Sequence, residues 1–415
     1  MAQTAKTALV IGAGITGVAA AEWLRRAGLK TTLVDRIEPG SADQTSFGNA
    51  GLLARSAVLP LSEPGVFGKS LKMLADRHSP LFLKWRYLPQ LLPWILPFLA
   101  NGRADRMMPI VEALQALVVD AVDQHAALAR GTPAEAFIKT GDYAYIYRNK
   151  KAFLKDALDW QMRQRAGFSV QEIEGSALHA RDENLSPDYQ FAAVLKDHGW
   201  LLSPGKYVAA LAAHFQDQGG AFVKGEVSDL HPGAVTLSDD RVLKADKIIL
   251  AAGVWSGALA KQLGQKAMIE SERGYHLHLS NPSFQPSHPF MVADAKFVVT
   301  PMQDGLRCAG IVEFGGLKPG PSKAPVALLR KRIREVYPSL EWQSDSVWMG
   351  HRPSTPDSLP HLGALRDHPD LIFAFGAQHI GLTLGPRLGR MAADIATGRT
   401  PNIDLAPYRP ERFRH

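Results

Sequence analysis

The chain has 415 residues, 46% of them hydrophobic and 21% charged, with a formal net charge of +7 and a single cysteine. That length predicts two structural units, and the composition excludes disorder, collagen or coiled coil as the main class. Cys308 standing alone excludes a disulfide framework and a thiolate-rich metal site. The basic residues are scattered rather than blocked, so no nucleic-acid partner is expected, whereas an anionic ligand or an anionic lipid surface is a natural partner.

The opening reads strand, turn, helix, strand. Thr7 to Ile11 is a short apolar run bounded by glycine, Val18 to Ala27 has helical composition ended by Gly28, and Lys30 to Val34 is a second strand closing at Asp35. The segment Pro60 to Leu99 is apolar and rich in proline. Within it, 13 of the 19 residues from Leu81 to Leu99 are apolar or aromatic, yet Pro89, Pro93 and Pro97 predict that no continuous helix forms there. Helices are expected at Asp105 to Arg130, Lys151 to Arg165, Pro204 to Gln218 and Pro325 to Tyr337. Strands are expected at Asp142 to Arg148, at Phe222 to Lys224, in Val242 to Ala252 and across Gly274 to Val312. Asp370 to Gly398 reads strand, glycine-rich turn, helix. The run Ala8 to Ala13 is too short for a secretory signal and no stretch reaches membrane-span length, so a cytoplasmic chain is expected, at most peripheral on the inner membrane.

Between the first strand and helix lies Gly12-Ala-Gly14-Ile15-Thr-Gly17, with Asp35 placed 23 residues after Gly12 at the tip of the second strand. This is the context a dinucleotide fingerprint requires. Gly12 permits the turn, Gly14 lets backbone approach a pyrophosphate, and Gly17 lets the helix pack on the strand. The helix N-terminus offers N–H groups to phosphates, and Asp35 can accept from a ribose hydroxyl. Three later segments add to it: Ser46-Phe-Gly-Asn49-Ala50-Gly51, the strand Asp246 to Gly253, and Phe373 to Pro386 with Gly376, His379 and Gly381.

Together with Arg273-Gly-Tyr275-His276 and Gly350-His-Arg352-Pro-Ser-Thr-Pro-Asp-Ser-Leu-Pro360, these residues resemble the D-amino-acid oxidase-like FAD oxidoreductases, most closely the bacterial D-amino-acid dehydrogenase branch. The resemblance spans nearly the whole chain. It implies an α/β fold, α+β overall, with a discontinuous Rossmann-like FAD-binding domain (1–75, 195–262 and 340–415) and an inserted antiparallel-sheet substrate domain (76–194 and 263–339). It implies FAD held by Gly12, Gly14, Ile15, Gly17, Asp35 and Arg36, by Ser46, Asn49, Ala50, Gly51 and Leu52, by Val227, Ala252 and Gly253, and by Gly376, His379, Ile380, Gly381, Leu382 and Thr383, with Arg352 beside it. Cys308 does not match a covalent flavin-attachment motif, so the FAD is expected to be non-covalent.

The resemblance also places an arginine of the Arg-Pro motif, Arg352, on the substrate carboxylate, where a planar fork suits two oxygens. A structural arginine paired with Asp357 is the competing reading, and Arg273 is a second candidate. Arg352 and His379 are the expected catalytic residues. Tyr275, His276 and Tyr145 are expected to line the substrate pocket. The N–H groups opening the last helix are placed to stabilise negative charge on a reduced flavin. No metal site is expected.

The implied activity is oxidative deamination of a D-amino acid or a cyclic amino acid such as D-hydroxyproline, with hydride leaving Cα for flavin N5 and electrons passing to a quinone or another carrier. An oxygen-using oxidase of the glycine or sarcosine type, and a non-catalytic flavin-binding subunit, are the alternatives. Trp85, Tyr87 and Trp94 among leucines, near Lys69, Lys72, Arg77, Lys84 and Arg86, are either a membrane-contacting surface or helices packed under the substrate domain.

Overall fold

A computed structural model describes residues 6–76 and 78–413; Arg77, one of the basic residues above, lies outside the described residues. In chain order the elements used below are β1 (Thr7–Ile11), α1 (Ile15–Arg26), β2 (Lys30–Asp35), β3 (Leu52–Leu53), α2 (Val66–Ala75) and α3 (Leu88–Asn101). They continue with β4 (Ile138–Tyr147), β5 (Phe191–Leu201), β6 (Ala221–Lys224), β7 (Lys247–Leu250), β8 (Glu270–Pro282), β9 (Phe290–Val292), β10 (Phe297–Met302) and β11 (Gly305–Phe314). The last are β12 (Trp342–Ser354), β13 (His361–Ala364), β14 (Leu371–Phe375) and α4 (Gly381–Ala396).

Two sheets carry the architecture. The first has six strands in the order β13-β14-β7-β1-β2-β6, parallel except for β13. Its central strands β1, β7 and β14 are short apolar runs buried on both faces, as covered parallel strands must be. β1 sits between β2 and β7, so the chain reverses direction across the sheet at the carboxyl end of β1, where doubly wound sheets open a ligand crevice. α1 and α4 pack side by side over one face and share one apolar cluster.

The second sheet has ten strands, with the path β12-β8-β11-β10-β9-β4-β5-β3. It is antiparallel along that path except where β9 joins β4. Its inner face has its own core, including Leu277, Leu279, Cys308 and Ile311. Sheet membership runs across the expected domain limits. Residues 342–354 and most of 191–201, expected in the FAD-binding domain, pair in the second sheet, because β12 supplies the long partner that β8 needs on its open edge. We propose a division by sheet membership.

Three local expectations also change. The helix expected over 105–130 is two helices, Ala104–Val118 and Ala121–Ala129, and that over 151–165 is Lys150–Leu154 and Ala157–Arg165. The prolines do not break α3. Pro89 lies in its first turn, while Pro93 and Pro97 follow at helical spacing. Each later proline deprives the carbonyl of the one before it, and Pro89 and Pro93 are exposed, so water can reach those carbonyls. The opposite stripe, Leu91 and Trp94, is buried, with the Trp94 indole N–H donating to Ser354 O at 3.0 Å.

Candidate active site

A cavity of about 510 Å³ begins at the carboxyl ends of β1, β2, β7 and β14 and runs onto the face of the second sheet. At its first end, Gly12 and Gly14 bring the backbone to the wall and α1 points its N-terminus inward. A Cβ on Gly17 would lie 1.7 Å from Gly12 O, so only glycine lets the helix start this close to the turn. Gly17 is therefore packing, not lining. Asp35 accepts from Ala13 N at 2.6 Å and from Ile37 N at 3.2 Å. Burial raises its pKa and these N–H groups oppose the rise. Arg36 stacks on Trp255 at 4.3 Å, and Val227, Ala252 and Gly253 complete this end.

The middle of the cavity is the segment 45–51. Ser46 Oγ accepts from Ile15 N at 3.0 Å, tying the segment to the start of α1. Asn49 donates from Nδ2 to His379 O at 3.3 Å and accepts at Oδ1 from Gly51 N at 3.0 Å. Ser46, Asn49 and Ala50 line the cavity, whereas Gly51 and Leu52 lie behind it. The second sheet grips this segment from outside. Arg307 Nη1 donates to Phe47 O at 2.9 Å and Asn49 O at 2.6 Å, and burial lowers its pKa to about 10. Neither Arg307 nor this clamp was foreseen from sequence.

His276 belongs to the same grip. Its Nδ1 donates to Gly48 O at 2.8 Å, and its ring stacks on Trp348 at 5.3 Å. The ring supports the loop from behind and is not on the cavity wall, where a substrate role was expected. Tyr275 is on the cavity wall, while its ring packs into the second core and its hydroxyl donates to Glu313 at 2.7 Å. Arg273 points the same way, ion-pairing with Glu313 at 2.7 Å and donating to Pro319 O and Gly320 O. Tyr145 packs against Tyr143 and Trp160, both at 5.0 Å, and receives Arg163 Nη2 at 3.3 Å, away from the cavity lining.

Beside Tyr275, β8 contributes Glu272 and Gly274 to the cavity wall. Opposite them on β12 are Arg352 and Gly350. Arg352 Nη1 donates to Glu272 Oε1 at 2.7 Å, and Ser354 Oγ donates to Glu272 Oε2 at 2.8 Å. The guanidinium lies over Gly274, where a Cβ would come within 2.5 Å of Nε. Asp357 is not its partner, being held instead by Arg412 at 2.6 Å. Burial pushes the Glu272 carboxyl up, but Arg352, His379 and Ser354 together bring it below the usual range. His379 faces the cavity beside this pair, and burial lowers its pKa. Gly376, Gly381 and Leu382 line the wall there. Ile380 and Thr383 do not: Ile380 is buried, and Thr383 Oγ1 donates to Leu52 O at 3.1 Å, fixing the start of α4.

A helix N-terminus, a carboxylate at the second strand tip and a long cleft leading to a second helix N-terminus are the donor set and shape that an FAD requires. The family model for FAD dependent oxidoreductases (DAO) matches residues 7–395. The chain belongs to this family of FAD-dependent oxidoreductases. It is 35% identical to a D-amino-acid oxidase of Bradyrhizobium diazoefficiens over 97% of this chain and 98% of that protein. It is 27% identical to a D-amino acid dehydrogenase of Rhizobium rhizogenes over 97% and 99% of the two chains. Among solved structures, glycine oxidase of Bacillus cereus superposes with a TM-score of 0.71 at 20% identity, covering 98% and 99% of the two chains. The family expected from sequence is thereby established, and with it an FAD-dependent enzyme.

Glu272 was not singled out in the sequence. Its signal was present, because period-two alternation puts residues 272, 274 and 276 on one strand face, but its partner lies 80 residues away on β12.

Proposed function

We propose that this enzyme oxidatively deaminates a D-amino acid, or a cyclic amino acid such as D-hydroxyproline, and passes the electrons to a quinone or another carrier. The observation that carries the reading is Arg352: one edge of its guanidinium is spent on Glu272, while the side chain lines the cavity whose shape and donors suit the cofactor. The remaining donors suit a substrate carboxylate, and fixing that group orients Cα. Bound FAD supplies the hydride acceptor. Burial keeps the His379 imidazole neutral at pH 7 and available to accept a hydrogen bond from the amine or from a water. The N–H groups opening α4, at Gly381 and Leu382, line the wall where negative charge on the cofactor would need support. The D-series assignment leans on the two curated relatives.

Mixing the FAD-loaded protein anaerobically with a panel of D- and L-amino acids tests this. Bleaching of the flavin band by D-amino acids is expected; a panel in which only L-amino acids, or none, bleach it would reject the reading. Oxygen use is the second reading, favoured by the relative named as an oxidase, and readmitting air after bleaching separates the two. The FAD is proposed to be non-covalent, since Cys308 is buried in the second core rather than on the cavity wall. Acid precipitation should leave the flavin in the supernatant.

The proposed carrier calls for a surface that can approach it. Among the described residues no helix is long and apolar enough to cross a membrane. Phe67 and Leu71 on α2, Trp85, and Leu92 and Leu96 on α3 are exposed large apolar side chains on consecutive elements, with Lys69, Lys72, Lys84 and Arg86 near them in sequence. We propose that this face rests on an anionic membrane surface. Flotation with phosphatidylglycerol vesicles at low salt should carry the protein upward, and replacing Trp85 and Leu96 by Ser should abolish that. Equal flotation by the variant, or none by the native protein, would sink the idea.

A further inference from the structure

Four carboxylates line the cavity among the described residues: Asp35, Asp43, Glu226 and Glu272. Three of them stand at the end built on β2, where Asp35 closes the strand, Asp43 follows it and Glu226 lies 3.7 Å from Arg36. Glu272 alone stands on the second sheet, beside Arg352. It is a built feature: its side chain is 4% exposed, fixed by Arg352 on one oxygen and by Ser354 on the other. An ionised carboxylate has about four lone-pair positions, and two are taken, so acceptor capacity remains toward the cavity.

The charge arithmetic of this corner is what matters. Arg352 and Glu272 sum to zero. A ligand bearing only a carboxylate gains from Arg352 and loses to Glu272. A zwitterion gains from both if its anionic end meets Arg352 and its cationic end meets Glu272. The other groups facing the pair do not upset this sum. His379 is held neutral by burial, Ser354 is uncharged, and Lys296, the other basic side chain lining this sheet, is exposed. Two residues back on β8, Glu270 is occupied by the Tyr87 hydroxyl at 2.9 and 3.1 Å and lies outside the lining.

We infer that Glu272 is the specificity-determining residue that receives the positively charged amino group of the substrate, selecting amino acids over carboxylates that lack an amine. The inference rests on the proposed role of Arg352. Glu272 acts as an ion-pairing partner and neither forms nor breaks a covalent bond. A secondary cyclic amine keeps its charge and its N–H, so it satisfies the same partner.

The test uses two isosteric probes that lack a Cα–H bond and so cannot be oxidised, 2-aminoisobutyrate and pivalate. Their binding to the FAD-loaded enzyme is read by calorimetry and by perturbation of the flavin spectrum. The native enzyme should bind 2-aminoisobutyrate at least tenfold more tightly than pivalate. Glu272→Gln, which keeps the shape and one acceptor oxygen for Arg352, should weaken the amino probe tenfold or more and strengthen pivalate. If Glu272 only scaffolds Arg352, the variant weakens both probes alike, and the inference fails. Should Glu272→Gln not fold, the native comparison decides: a 2-aminoisobutyrate affinity equal to or below that of pivalate, or no binding of the amino probe at all, overturns it. Arg352→Gln separates the parent reading, because it should weaken both probes, and unchanged binding of both would remove the carboxylate from Arg352 whatever Glu272 does.

Discussion

Arg352 is held by a cross-strand carboxylate, and the bare backbone of Gly274 forms its bed. Arg352→Lys keeps the charge and loses the planar fork. It should retain FAD and lose about 2–4 kcal/mol of transition-state stabilisation, the range for truncating a desolvated hydrogen-bonded charge pair. Steady-state kcat/KM with the substrate found in the anaerobic panel measures this, and an unchanged value would take Arg352 out of the site. Gly274→Ala should act through the same group, since the added carbon meets Nε at 2.5 Å. It is expected to raise KM more than it lowers kcat, with the flavin spectrum intact. At this scale the sequence was legible where chemistry restricts residue type: Gly12, Gly14, Asp35 and Arg352 all stand on the cavity wall. It did not show that His276, on the strand face of Glu272 and Gly274, is covered by the 45–51 segment and Trp348 and so stands behind the cavity wall, since those contacts join residues far apart in the chain.

The 45–51 segment owes its shape to a neighbouring strand more than to itself. Arg307 on β11 donates to two of its carbonyls, while Cys308, next in line, faces the second core. Arg307→Met should therefore release the segment and raise the FAD dissociation constant tenfold or more, measured by flavin fluorescence after dialysis. Cys308→Ser should leave that constant nearly unchanged and lower the unfolding free energy by about 1–3 kcal/mol, the cost of a hydroxyl without a partner in an apolar core. An equal effect of both variants on FAD affinity would mean that β11 supports the site only through general stability. Elements with a strong local period, such as α1 and the helix Pro204–Asp217, could be read from sequence. α3 could not, since a rule about proline in helix interiors does not say that its carbonyl partners face water. β12 could not either, because its Trp342 to Trp348 half carries exposed polar residues on a sheet edge and shows little apolar alternation.

Acid should weaken the whole molecule through histidines that burial keeps neutral. His125 is hydrogen-bonded to Tyr207 and to Leu382 O, both at 2.9 Å, and His198 to Ser56 and Lys196 O, also at 2.9 Å; burial lowers both to about 4. With folded values below the ordinary 6.5, the unfolded chain binds more protons between pH 6.5 and about 4. Stability therefore falls as pH drops through that window, by up to about 1.4 kcal/mol per pH unit for each ring. Urea unfolding at pH 7 and pH 5 measures the slope, and His125→Gln should remove its share; an unaltered slope would mean the ring is already charged when folded. The discontinuous plan was legible at this scale from nucleotide-binding pieces at both ends of the chain, but strand membership was not, since pairings across hundreds of residues leave no local trace. That plan has a consequence for biosynthesis. β1 rests against β7, about 240 residues later, and α1 against α4, which closes the same cavity. At about 5–20 residues per second, the first βαβ unit leaves the ribosome tens of seconds before the strand and helix that cover it. Until then its apolar surface is open, and chaperone dependence of the nascent chain should end only after residue 396 has emerged.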